Sequence, residues 1–336
     1  METVRTHYRH PGAAAEMSPS PSVSVVVPVY RSVQSLAELT RRVRTTLADW
    51  PAPVEIVLVE DDGGDGSWEL ISELARADPR IRGFRHRRNY GQHNALLTGI
   101  RAARHEVVVT IDDDLQNPPE EIPKLLVALD RGFDVVYGTP VQRRHGLMRN
   151  LASSVTKLAL QGAIGVDTAR KASAFRAFRT ELRGAFADYN NPNVLIDVLL
   201  TWGTTRFGAV TVENAERRFG KSNYTLRALA RLAANMATGF SVLPLKIASV
   251  VGFFFTLFGM GLLVYGVASY FIRGSSVAGF TFLASIIALF SGAQMFALGI
   301  IGEYLARIHV RSMGRPVAVL RERTDAPAPK DDHGLS

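Results

Sequence analysis

Three consecutive carboxylates, Asp112-Asp113-Asp114, follow the apolar run Val107-Val108-Val109 and lead into Leu115-Gln116-Asn117-Pro118-Pro119-Glu120. Carboxylates this close repel one another unless positive charge lies between them, and a hard divalent cation with oxygen ligands is the usual partner. The competing reading is a solvated acidic turn at a helix entry, which Pro118-Pro119-Glu120-Glu121 would make. Three other polar clusters carry groups of similar use: Pro28-Val29-Tyr30, Glu60-Asp61-Asp62-Gly63-Gly64-Asp65-Gly66-Ser67 and Arg87-Arg88-Asn89-Tyr90-Gly91-Gln92-His93. Taken singly, each has an ordinary explanation as turn glycine, helix cap or surface residue.

Their placement by the flanking elements gives them joint meaning. Val23 to Tyr30 is a β-branched run whose Pro28 predicts the end of a strand. Leu36, Leu39, Val43 and Leu47 then recur at helical spacing. The pattern repeats: strands over 54–59, 81–85 and 106–111 alternate with helices over 68–77 and 93–103. Such alternation predicts a parallel sheet with right-handed crossovers and helices on both faces. Ligands on these sheets bind at the carboxyl ends of the strands, and all four polar clusters fall there.

The chain has 336 residues and a formal net charge of +8, with no cysteine. Disulfides and thiolate metal sites are therefore excluded. The basic balance suits nucleic acid, an anionic membrane surface or the flanks of membrane spans. No nucleic-acid motif is present, so a nucleic-acid partner is not expected. From Ile247 to Ile272, and again from Gly274 to Gly302, no residue is charged, and each stretch exceeds the ~20 residues that cross a bilayer. Arg227, Arg231 and Lys246 precede this pair and Arg307, Arg311, Arg315, Arg321 and Arg323 follow it, against Arg273 alone between. The charge bias predicts a hairpin with both ends cytoplasmic. Residues 1–21 are polar with scattered Pro, Ala and Ser and read as a disordered tail, neither signal peptide nor anchor.

With these elements in place, Asn89-Tyr90-Gly91-Gln92-His93, Asp112 to Glu121, Ala215-Glu216-Arg217-Arg218-Phe219-Gly220-Lys221-Ser222-Asn223-Tyr224 and Gly302-Glu303-Tyr304-Leu305-Ala306-Arg307-Ile308 resemble the polyprenyl-phosphate glycosyltransferases of glycosyltransferase family 2. The resemblance runs in order from about Val23 to Pro316. It implies a nucleotide-diphospho-sugar transferase domain of the GT-A, Rossmann-like α/β class over 22–222. An interfacial amphipathic helix would follow over 223–242 and a transmembrane hairpin over 243–310, with spans near 247–272 and 277–302. Residues 311–336 are then a cytoplasmic tail, disordered after Arg323.

The same resemblance implies roles. Pro28, Tyr30, Glu60, Asp61, Asn89, His93, Asp112 and Asp113 would bind the nucleotide sugar, Asp112 near its ribose or sugar. Asp114, with Asp112, would hold Mg²⁺ or Mn²⁺. Arg176, Arg217, Lys221, Ser222 and Tyr224 would grip the lipid phosphate, where arginine offers two parallel hydrogen bonds and the hydroxyls add directed donors. The implied partners are a UDP-linked nucleotide sugar, whose sugar these segments do not report, a polyprenyl phosphate, the membrane and, by family resemblance, further copies of the chain in a homo-tetramer. The implied location is the inner membrane, multi-pass, with the transferase domain cytoplasmic.

The chain departs from the family pattern at four places. Asp113 stands where relatives carry a small residue, Asn223 where a Lys is expected, and Arg31-Ser32 where Asn-Glu is common. Arg170-Lys171-Ala172-Ser173-Ala174 lacks the Asp and Gly that precede the Phe-Arg pair in relatives. A lost base need not stop the reaction, because a phosphate monoester with a second pKa near ~6 is already a nucleophilic dianion at neutral pH. The reaction then expected is one in-line displacement that inverts the anomeric carbon. Two other functions compete: a polysaccharide-extending transferase, for which the Gln-x-x-Arg-Trp motif is missing, and a non-catalytic membrane scaffold built on a degenerate transferase domain.

Overall fold

The computed structural model describes residues 20–140, 172–191, 194–215, 243–273 and 280–325. The expected interfacial helix over 223–242 lies outside the described residues, as do Arg217, Lys221, Ser222 and Tyr224. The first half follows the alternation of the sequence: β1 (Val23–Val29), α1 (Val33–Thr46), β2 (Val54–Glu60), α2 (Ser67–Ala77), β3 (Ile81–His86), α3 (Gln92–Ala102) and β4 (Val107–Thr110). Then come α4 (Ile122–Leu129), β5 (Val135–Pro140), β6 (Arg176–Arg179), α5 (Ile196–Gly203) and β7 (Phe207–Val212). Two long helices follow, α6 (Leu243–Arg273) and α7 (Phe280–Ser312), and a last strand, β8 (Leu320–Arg323).

The strands form one sheet in the order β7-β5-β6-β4-β1-β2-β3-β8. All seven residues of β1 are buried, and the period of two in a strand sends them to two cores. Val25, Val27 and Val29 pack with Leu36 and Leu39 of α1, Ile71 of α2 and Leu125 of α4. Val26 packs on the other face with Leu97 and Ile100 of α3 and Leu199 of α5. Each such side chain contributes about 1.5–3 kcal/mol by leaving water, so the helix faces are fixed by burial more than by propensity.

Pro28 does not end β1, which continues to Val29. The reason lies in the register: β4 pairs with β1 only from Val23 to Val26, and Ile111 then donates its N–H to the Val26 carbonyl at 3.2 Å. Pro28 sits past the last β4 rung, where a missing N–H interrupts no ladder.

The sheet is parallel across β3, β2, β1 and β4, as the sequence implies, but mixed beyond them. Strand β6 is antiparallel to both β4 and β5. Its first residue, Arg176, therefore pairs with Thr110 at the carboxyl end of β4, beside the Asp triplet. Strand β8 adds to β3 in the antiparallel sense. The tail expected over 311–336 thus contributes an edge strand to the transferase sheet, an element absent from the sequence reading.

Helices α6 and α7 run 31 and 33 residues, and Phe255 of one meets Phe290 of the other edge to face at 5.7 Å. Counting described side chains alone, no helix is long and apolar enough to cross a membrane. Counting every residue of the sequence, the stretch from Ile247 to Ile272 within α6 carries no charge.

Candidate active site

Strand β1 is the switch point of the sheet: β2 lies on one side of it and β4 on the other, so the loops leaving β1 and β4 part and open a crevice. Three non-glycine residues there adopt positive φ: Arg31 at 55°, Asp62 at 55° and Leu115 at 60°. Each is strained by roughly 1–2 kcal/mol, and all three flank the carboxyl ends of β1, β2 and β4. Such strain persists only where surrounding contacts enforce it.

For Arg31 the enforcing contact is Asp113. Its Oδ2 accepts the Tyr30 N–H at 3.0 Å and also the Ser32 hydroxyl, so the loop after β1 is pinned on both sides of Arg31. Burial pushes the Asp113 carboxyl upward against the pull of these two hydrogen bonds. The residue without a role in the family pattern is therefore a clasp between two rim loops.

Its neighbours are arranged differently. Asp114 Oδ1 accepts the Gln116 N–H at 3.1 Å across the Leu115 turn. Asp112 Oδ1 accepts from the Gln92 amide at 2.7 Å. Asp112 keeps partial contact with solvent, yet the surrounding protein removes enough water to push its carboxyl up to about 7, helped by the Asp114 and Asp113 charges. Arg176 and Gln92 oppose that shift.

Arg176, expected at the lipid phosphate, is buried beside the Asp triplet. It is 1% exposed, forms a short ion pair with Asp197, and lies 5.9 Å from the centre of the Tyr137 ring. Tyr137 donates its hydroxyl hydrogen to Asp197 at 3.0 Å, and burial drives the Tyr137 hydroxyl well above its ordinary range. With Asp197 as partner, Arg176 is a fixed positive charge behind the triplet. A buried arginine requires such a partner. Asp197 and Tyr137 were missed from the sequence, although an acid inside Leu195-Ile196-Asp197-Val198-Leu199-Leu200 is the signal of a buried pair.

His93 abuts the same cluster: the Ile196 N–H points at its Nδ1 at 3.5 Å. Burial, reinforced by Arg176 and opposed by Asp197, lowers its pKa to about 4, so the ring is neutral at physiological pH. Asn89 is exposed and Tyr30 is 43% exposed with the Arg31 guanidinium 5.2 Å from its ring centre. Pro28 is buried within β1.

The acids after β2 face inward. Asp61 is 2% exposed. Its Oδ1 meets His86 Nδ1 at 2.7 Å and the Tyr90 N–H at 2.9 Å, while Oδ2 takes the Gly91 N–H at 2.7 Å. It braces the loop that carries Asn89 and leads to His93. Glu60 Oε1 accepts the Gly63 N–H at 2.6 Å, and burial raises its pKa.

The described residues contain no cluster of three His, Cys, Asp or Glu side chains able to cage a metal ion. A cage is not required: Mg²⁺ in phosphate chemistry is commonly held by one or two carboxylates, the substrate phosphates supplying the rest. Asp112 and Asp114 fit that arrangement, because Asp113 is turned away to Tyr30 and Ser32 and burial with the adjoining carboxylates raises Asp112 despite the Arg176 charge.

The residues just before the expected acceptor segment meet this loop. The Ala215 N–H bonds the Gln116 carbonyl at 2.8 Å, and the Glu213 N–H points at Glu121 Oε2 at 3.4 Å. The chain is thus tied to the triplet loop two residues before Arg217.

The family described as Glycosyl transferase family 2 matches residues 24–182. The undecaprenyl-phosphate 4-deoxy-4-formamido-L-arabinose transferase of Pectobacterium atrosepticum is 34% identical over 312 residues, covering 92% of this chain and 95% of that protein. The transferase of the same name from Yersinia pestis is 35% identical over 302 residues, covering 89% and 92%. Among solved structures, glucosyl-3-phosphoglycerate synthase from Mycobacterium tuberculosis, in complex with Mn²⁺ and UDP-glucose, aligns with a TM-score of 0.48 at 18% identity, over 65% of this chain and 77% of that one.

Proposed function

The chain belongs to glycosyl transferase family 2, as a polyprenyl-phosphate glycosyltransferase, and from that premise we propose its finer chemistry. It transfers a sugar from a UDP-linked donor to a polyprenyl phosphate, with Mg²⁺ or Mn²⁺ bound, at the cytoplasmic face of the inner membrane. The observation that carries this reading is the Asp triplet at the β1/β4 switch point, with Ala215 bonded to Gln116 at its edge. One contact brings the carboxylates for a cation and the entry to the basic acceptor segment to the same loop.

In this mechanism Asp114 and Asp112 would hold the cation, which when bound would supply positive charge to offset the charge developing on the departing nucleoside diphosphate. Asp113 keeps the β1 loop in register beside the triplet, and Arg176, fixed by Asp197, balances the local negative charge. The polyprenyl phosphate is a dianion near neutral pH and attacks the anomeric carbon without a dedicated base, inverting its configuration. Alignment of the two substrates supplies much of the rate.

Helices α6 and α7 form the membrane hairpin of this reading. Its support is their length and the outward display of large apolar side chains, among them Phe253 at 61%, Phe254 at 63%, Phe271 at 81% and Phe296 at 65% exposure. A surface of that kind belongs against lipid or another apolar partner.

The test is direct. Full-length protein with labelled UDP-sugars, undecaprenyl phosphate and Mg²⁺ or Mn²⁺ should give a lipid-linked product that chelation abolishes. The screen should include the formamido-arabinose donor suited to the named relatives. If no sugar reaches the lipid, and Asp114→Ala changes nothing, the reading fails.

A further inference from the structure

We propose that Glu322, on the strand that returns after α6 and α7, is a positioning residue for the loop after β2, acting through Arg85. This rests on the reading of the rim as a nucleotide site.

Strand β8 has the sequence Leu-Arg-Glu-Arg, and all four residues are exposed, so apolar burial does not hold it in place. Specific polar contacts do. Glu322 accepts from Trp68 Nε1 through one oxygen at 3.1 Å and from Arg85 through the other at 3.0 Å. The buried Arg82 guanidinium bridges Glu55 at 3.0 Å and Asp325 at 2.8 Å. The Gly83 N–H bonds Thr324 Oγ1 at 2.9 Å. Gly83 is required by this fit: a Cβ there would lie 2.3 Å from the Ile71 side chain and 3.0 Å from that of Thr324.

Arg85 links this edge to the rim. Its Nε lies 3.3 Å from Glu60 Oε2, and neither atom has a hydrogen-bond partner. Proximity and charge, not an aligned hydrogen bond, join the two. Through its other oxygen Glu60 takes the Gly63 N–H at 2.6 Å. Gly63 in turn presses on the strained turn after β1: a Cβ on it would sit 2.7 Å from the Arg31 nitrogen, and Arg31 Nε donates to its carbonyl at 3.3 Å. A cavity of about 310 Å³, lined by Gly64, Ser67 and Glu69 among others, opens beside Arg85. Released from Glu322, the Arg85 side chain has room to leave Glu60.

The consequence is that the shape of the β2 loop, and through Arg31 the β1 turn, depends on residues that follow the two long helices. The contact with Glu322 holds one end of Arg85 while the buried Glu60 carboxylate attracts the other. A carboxylate is needed at 322 because its two oxygens accept from Trp68 and from Arg85 at once, and its charge strengthens the bond to the guanidinium.

The experiment uses the full-length chain and UDP, titrated by calorimetry with and without Mn²⁺. Glu322→Ala should raise the UDP dissociation constant roughly 5–30-fold, the factor that one or two lost contacts produce. In turnover the rise should fall in the donor KM, not in kcat. Arg85→Lys, which keeps charge but loses the planar fork, should behave alike, and the double variant should be no worse than Arg85→Lys alone. Glu322→Gln, which keeps an acceptor for Trp68, carries the test if Glu322→Ala does not fold. Unchanged UDP affinity in the folded variants, or a loss confined to kcat, overturns the proposal. Wild-type protein that binds no UDP overturns the nucleotide reading itself, and this inference with it.

Discussion

Two acidic runs, Glu60-Asp61-Asp62 after β2 and Asp112-Asp113-Asp114 after β4, stand at carboxyl ends of strands on either side of β1, and the structure uses them in opposite ways. In the first, Asp61 is filled by His86 and two backbone N–H groups, so the carboxylate serves the fold. In the second, Asp113 clasps the β1 loop, Asp112 and Asp114 accept from Gln92 and from the Gln116 N–H, and burial together with the neighbouring charges raises Asp112 to about 7. The difference teaches that an acid's role is set by how many protein donors reach it, which residue type does not reveal. The Asp61 carboxylate is a brace, whereas Asp112 is held in surroundings that oppose its ionisation.

Substitutions can break this contrast. The largest effect should come from Asp114→Ala: turnover should fall roughly 10²–10³-fold, the scale of losing one directed electrostatic contact, while loss of the Gln116 N–H bond should cost about 1 kcal/mol of stability. Lipid-product assays and thermal unfolding in detergent check the pair of outcomes. Asp61→Ala should do the reverse. Stranding the Tyr90 and Gly91 N–H groups and His86 should cost about 3 kcal/mol of stability, seen as a lowered midpoint, while turnover by the folded protein should respond to Mn²⁺ as wild type does.

The acid–base behaviour sharpens the comparison. Asp112 has a folded pKa of about 7 against an ordinary 3.8, so the folded state holds the proton longer than the unfolded state. Its contribution to stability is present at low pH and is lost as pH rises from about 4 through 7. His93 runs the other way: its folded pKa is about 4 against 6.5, so its contribution is present above 6.5 and is lost as pH falls toward 4. The two slopes oppose each other in cation-free wild type. Asp112→Asn should expose the acid-side loss alone and His93→Gln the alkaline-side loss alone, in thermal midpoints measured from pH 4 to 8. Added Mn²⁺ should remove the alkaline-side loss. The smallest effect is expected at the outer edge of the triplet loop. There Arg42 grips Glu120 at 2.9 and 2.6 Å, and Arg42→Ala should cost less than about 1 kcal/mol because the pair is near the surface.

The alternating half of the fold was legible because each of its strands and helices is written in local periodicity, as Val25, Val27 and Val29 of β1 and Leu36 and Leu39 of α1 illustrate. Strand β8 was not, since its polar Leu-Arg-Glu-Arg segment becomes a strand only through partners on β3 and α2 more than 230 residues away in sequence. The antiparallel entry of β6 was equally hidden. It decides that Arg176 lies behind Asp112, paired with Asp197. At the site, the Asp triplet and the polar loop ends were readable from residue type and position. The division of labour within the triplet was not, because the Asp113 clasp is made by Tyr30 and Ser32, more than 80 residues earlier.

The most direct measurement titrates UDP with Mn²⁺ into folded wild type, Asp113→Asn and Asp114→Asn. Asparagine at 113 keeps an oxygen for the Tyr30 N–H and the Ser32 hydroxyl, so the account predicts metal-dependent UDP binding in wild type and Asp113→Asn and its loss in Asp114→Asn. Retained metal-dependent binding in Asp114→Asn, with loss in Asp113→Asn, would contradict it.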